Sequence, residues 1–167
     1  MRGSRIYLTM TTVLGLVIGC SSEKASTPTA SQAAPKRPMH RHGVGPHGGV
    51  VFDLGKYHAE FTVNRSTHEG IIYMLDDDEE SPLDVQANEL FLTIQSAKDD
   101  QDKTIPQTTI SLTPAEVIDG KTRRLQGRAD VLGKIASFRG TVAGEIDGKP
   151  VLGSFQWQTG SKDMPKK

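Results

Sequence analysis

Two histidines and a glutamate frame one short apolar stretch: His47 and His58 end HGGVVFDLGKYH, and Glu60 follows two places later. Imidazole nitrogen is a ligand for zinc, copper or nickel, and a carboxylate either completes such a shell or orients a histidine from outside it. His58 and Glu60 have the spacing that sends both side chains to one face of a strand, about 6.5–7 Å apart along the backbone. Zinc or copper is the ion expected if His47 joins them. His40, His42 and His68 are further nitrogen donors, the first two ahead of the strands and the last in a turn after them. Met39 and Met74 add soft sulfur, although Met74 within IIYML reads as a core residue. The same residues fit a plain β surface equally well. In that case His58 and Glu60 face solvent, His47 sits in a turn, and Gly48-Gly49 lets the chain turn tightly into the first strand. Neither HExxH nor paired-cysteine spacing occurs to decide between the two.

The elements that must position these groups are strands. Tyr57, Ala59, Phe61 and Val63 alternate with His58, Glu60 and Thr62, the period of a half-buried strand. Val50, Phe52 and Leu54 mark a strand before it, and Gly55-Lys56 turns one back on the other, which brings His47 toward His58 and Glu60. IIYMLD at 71–76 suits a more central strand, and Leu90, Leu92, Ile94 and then Thr108, Ile110, Leu112 give two more. Ala136, Phe138, Gly140, Val142, Gly144 and Ile146 share a face. Asp147-Gly148 then signals a tight hairpin turn into a strand with Val151, Gly153, Phe155 and Trp157 inward. Only LTPAEVIDG at 112–120 suggests a helical turn, with Thr113 as N-cap and Pro114 in the first position. The expected fold is all-β, an antiparallel β-sandwich of about seven strands, with a small barrel as the alternative architecture.

Ahead of the strands, MRGSR followed by the apolar run Ile6 to Gly19 has the layout of a signal peptide over 1–19. Val17-Ile18-Gly19-Cys20 resembles a bacterial lipobox, which implies cleavage before Cys20 and lipid on its sulfur. Cys20 is the single cysteine, so no internal disulfide forms. Residues 20–46 are rich in Ser, Thr, Ala, Pro and Gly and have too little apolar surface to offset the entropy of ordering, so they read as a tether. The domain is placed at 47–160 and a tail at 161–167. Lys plus Arg number 20 and Asp plus Glu number 20, so no net field favours nucleic acid. The acidic run DDDEE at 76–80 reads as a solvated loop, because the spaced oxygens and central glycine of an EF-hand are absent.

PHGGVVFDLGKYHAEFTV, followed by GIIYMLDDD, resembles a pattern of small bacterial lipoproteins of unassigned role. It is also similar to a short β-rich domain in periplasmic adaptor subunits of heavy-metal efflux pumps, where an HGG element precedes an H-x-E strand. The likeness covers residues 46–76 and, more loosely, the terminal IDGKPVLGSF. It implies an immunoglobulin-like sandwich and metal handling in the cell envelope, and it carries over to His47, Gly48, Gly49, His58 and Glu60. The long helical hairpin and lipoyl-like half of such an adaptor have no counterpart in this sequence. Two functions follow as expectations for a chain held to a membrane through lipid on Cys20. One is capture of a transition metal. The other is a non-catalytic structural role or contact with an envelope protein partner, without a metal. No nucleophile elbow or phosphate-binding glycine loop points to an enzyme.

Overall fold

The computed structural model describes residues 42–160. The signal peptide, Cys20, Met39, His40, the tether as far as 41 and the tail 161–167 lie outside the described residues. Nine strands are present: β1 Val50–Leu54, β2 Tyr57–Asn64, β3 Glu69–Leu75, β4 Leu90–Asp99, β5 Thr104–Ile105, β6 Thr108–Pro114, β7 Arg124–Arg128, β8 Ile135–Ile146 and β9 Lys149–Gln158. All pairings are antiparallel.

The strands run in the order β4-β6-β7-β3-β2-β1-β9-β8, and β8 pairs back onto β4, so eight strands close into a barrel with two-residue β5 as a spur on β4. The all-β, antiparallel reading holds, but the closed ring is the small barrel held as the alternative rather than the expected immunoglobulin-like sandwich of about seven strands. The physical reason is length. β8 has 12 residues and β4 has 10, enough for each to pair along both sides, and closure leaves neither with a bare edge. Inward and outward alternation is the same in both architectures, so it does not tell them apart.

The interior is filled by side chains. Phe52, Phe61, Phe138 and Phe155 pack with ring centroids 4.7–5.8 Å apart, and Met74, Leu92, Leu112 and Val142 are fully buried around them. Space is tight enough that a Cβ at Gly140 would lie 2.4 Å from the Phe155 ring, so the small residue there leaves room for the large one opposite. The β8–β9 hairpin turns at Asp147 and Gly148, both at positive φ, as a type I′ turn requires.

The helical turn expected at 112–120 is absent. Thr113 and Pro114 belong to β6 and pair with Gln126 and Leu125, and the chain then turns through reciprocal 2.9 Å backbone hydrogen bonds between Ile118 and Lys121. The inward alternation of Ile110 and Leu112 outweighs the capping signal that follows it. The one helical element among the described residues is a short 3-10 turn at Asp130–Gly133.

Candidate metal centre

The Gly55-Lys56 turn sets Leu54 opposite Tyr57, and this register carries Asp53 opposite His58 and Val51 opposite Glu60. His58 and Glu60 therefore share the outer face of β2, as their spacing predicts. Their surroundings differ.

Glu60 is buried, although its face of the strand points away from the core. The segment before β1 crosses it. The His47 backbone N–H donates to both carboxylate oxygens at 3.0 and 3.1 Å, the Gly49 N–H donates at 2.6 Å, and His47 Nδ1 lies 2.7 Å from Oε2. A carboxylate only accepts, so His47 Nδ1 carries the hydrogen. Close approach explains the glycines: a Cβ on Gly45 would fall 2.4 Å from the Glu60 side chain, and one on Gly49 would fall 2.3 Å from the Phe61 carbonyl. The His47 ring stacks on Tyr73 at 3.7 Å, beside Glu60 on β3. The HGG element and Glu60 thus form a latch that holds the incoming chain against the barrel wall.

The structure brings His47 and Glu60 together and gives His58 other neighbours. His42, Glu79 and His58 offer ligand atoms that all lie within 4.8 Å of one another, the one such group among the described residues. Asp53 joins them from β1. The domain accordingly begins before 47: Val44 bridges to Val50, and the His42 side chain is only 9% exposed. Part of the stretch read as tether is seated on the barrel.

The acidic loop is more than a solvated tip. Asp78 accepts from the backbone N–H groups of Glu80 and Ser81 and from the Ser81 hydroxyl, whose hydrogen bond is the largest of the effects holding this carboxyl below its ordinary range. Glu79 donates its N–H to the Asp76 carbonyl and sits at φ 58°, in the left-handed region. That turn brings its side chain back to β2.

The hydrogen bonds assign the tautomers. His42 Nδ1 lies 2.7 Å from Glu79 Oε1, and His58 Nδ1 lies 3.3 Å from the Asp76 carbonyl oxygen. Both partners are acceptors, so each Nδ1 carries the hydrogen and each neutral ring holds its lone pair at Nε2. Both Nε2 atoms then face the same oxygen: Asp53 Oδ1 is 3.4 Å from Nε2 of His42 and 3.4 Å from Nε2 of His58, which is also 3.9 Å from Glu79 Oε1. His42 Nε2 is buried with no hydrogen-bond partner. With both rings neutral no hydrogen lies between the Nε2 atoms and Asp53 Oδ1, an arrangement that either a bound cation or a proton on a ring satisfies.

Asp53 Oδ1 lies 3.4 Å from each Nε2, the spacing of neighbouring ligand atoms in a tetrahedral zinc shell, about 3.3–3.5 Å, while the atoms that all lie within 4.8 Å of one another belong to His42, His58 and Glu79. Glu79 grips His42 from its far nitrogen, the usual way a carboxylate fixes a ligating imidazole. His68 lies elsewhere, 3.4 Å from Asp130. Met74 is fully buried in the core, so it brings no sulfur to the cluster. Asp53 was missed, although the turn ahead of β2 could have pointed to it. His42 was named only as a further donor and Glu79 not at all, because their approach depends on loop paths. Comparison of the chain with protein-family models, curated proteins and solved structures finds no match.

Proposed function

We propose that this chain is an exported, lipid-anchored β-barrel domain that binds a divalent transition metal, zinc or copper, at His42, His58 and Asp53, with Glu79 orienting His42 or joining the shell. The observation that carries the reading is the convergence of His42, His58 and Glu79 ligand atoms within 4.8 Å of one another on a partly buried surface, with Asp53 Oδ1 3.4 Å from Nε2 of both histidines. Nitrogen and oxygen donors without thiolate or thioether suit zinc or cupric ions better than cuprous copper. Two imidazoles and one carboxylate also leave a coordination position for water or an incoming ligand, which suits a site that captures and releases its ion. Lipid on Cys20 and a tether ahead of His42 place this capture at a membrane surface on the exported side.

A second reading has its own support. The same distances allow His42 and His58 to act as protonated partners of Asp53 and Glu79, in a structural or interaction lipoprotein without a metal. Zinc titration of the detergent-solubilised full chain at neutral pH separates the two. Metal capture predicts one saturable site, a loss of at least about tenfold in affinity for His58→Ala, and little change for His68→Ala or His47→Ala. Absence of saturable binding, or equal losses for His47→Ala and His58→Ala, contradicts it.

A further inference from the structure

The candidate ligands belong to three segments far apart in sequence: His42 ahead of the first strand, Asp53 and His58 on the β1–β2 hairpin, and Glu79 in the loop after β3. An ion bound to all of them joins these segments. The question is what the joint holds in place.

The segment 42–49 is fixed to the barrel by a latch at one end, by the His42 ring at the other and by the Val44–Val50 bridge between them. At one end Glu60, fully buried, accepts from the His47 and Gly49 backbone N–H groups and from the His47 ring. Gly45 and Gly49 also bond each other at 3.1 Å, and Gly48 returns a 3.0 Å bond to Gly45. This latch needs no ion. At the other end the described contacts of His42 all run through its imidazole, to Glu79, Asp53 and the edge of the His58 ring at 5.5 Å. There Nε2 is buried with no hydrogen-bond partner, 3.4 Å from a carboxylate oxygen, so the approach of a neutral His42 ring is opposed unless a cation lies between them.

We infer that the bound metal works as a clasp, and that its occupancy decides where the ordered barrel begins. The inference rests on the metal-binding reading above. With the ion present, His42 is drawn onto Asp53 and His58 and the chain is fixed from 42 onward. Without it the Glu60 latch and the Val44–Val50 bridge still hold residues 44–49, and residues 42 and 43 lift from the wall. The same ion steadies Glu79 and the 76–81 turn. Metal occupancy thereby becomes a change in where the fixed part of the domain begins, without a change in the barrel itself.

Hydrogen exchange read by mass spectrometry on the detergent-solubilised full chain, with zinc alone and then with excess chelator, tests this. Zinc is expected to slow exchange at Gly43, and in the 76–81 turn, by at least about tenfold. Residues 44–49 should change little, and the chelator should reverse the effect. In His42→Ala, zinc should bind more weakly and protection of Gly43 should be lost. Circular dichroism like that of the parent chain will show that this variant remains folded. If zinc saturates the parent chain while exchange over 42–46 is unchanged, the clasp is wrong and metal capture stands. If calorimetry finds no zinc binding, both fall.

Discussion

At Glu60 a side chain that looks like a ligand is consumed by the backbone. Its spacing from His58 correctly puts both on one face of β2, but alternation marks an outward carboxylate as solvated and says nothing of a loop that crosses above it. Three donors converge on Glu60, so its amide counterpart turns an NH2 group toward one of them and leaves a buried N–H without an acceptor. Such a loss costs about 1–3 kcal/mol. Glu60→Gln is therefore expected to lower the denaturant midpoint by that amount while zinc affinity stays within about threefold. Loss of zinc binding at unchanged stability would make Glu60 a ligand and reverse the assignment. His42 teaches the converse: a histidine in a linker-like stretch has no periodicity to place it, and only the folded loop shows that its ring is nine-tenths buried, with 9% exposed.

Among the elements, hairpins were legible and long loops were not. Gly55-Lys56 and Asp147-Gly148 signal the two hairpins, and both hairpins appear in the fold, which sets their registers. The loop from Asp76 to Ser81 depends on one left-handed residue, Glu79, whose type gives no signal for that conformation. The β8–β9 turn is also pinned to the start of β2. The Tyr57 hydroxyl donates to Asp147 Oδ2 at 2.6 Å, while Asp147 Oδ1 accepts the Gln86 N–H at 2.9 Å. Burial first, then this hydrogen bond and the Asp147 charge, push the Tyr57 phenol up to about 12. A raised folded-state value means that the contribution to stability is complete below the ordinary phenol range near pH 10 and is lost as pH rises through about 12. Tyr57→Phe should thus be less stable than the parent at neutral pH, with the gap narrowing between those two values. Denaturant midpoints across that range check it, and a constant gap contradicts the pin.

Over the whole molecule, an all-β antiparallel chain was readable from period-two alternation, yet closure was not. Alternation defines which side chains face inward; it does not say that β8 returns to β4. The eight-strand ring presents a continuous outer wall, and the cluster of His42, His58 and Glu79 sits on that wall rather than inside the barrel, whose interior is filled by phenylalanines and aliphatic side chains. Such a wall needs no disulfide, which agrees with a single cysteine placed at the lipobox-like junction. Cys20→Ser is accordingly expected to move the protein from the membrane fraction to the soluble one while leaving its thermal unfolding transition in place. Retention in the membrane would remove the lipid anchor from the account.

The central claim is that a cation joins the Nε2 atoms of His42 and His58. Imidazole nitrogen shifts measured by NMR on uniformly nitrogen-15-labelled chain during a zinc titration address it atom by atom. The account predicts that the Nε2 signals of His42 and His58 move together to saturation, that their Nδ1 atoms stay protonated on Glu79 and the Asp76 carbonyl, and that His47, latched to Glu60, is unchanged. Movement of His47 in place of His42, or no saturating shift in any imidazole, would contradict it.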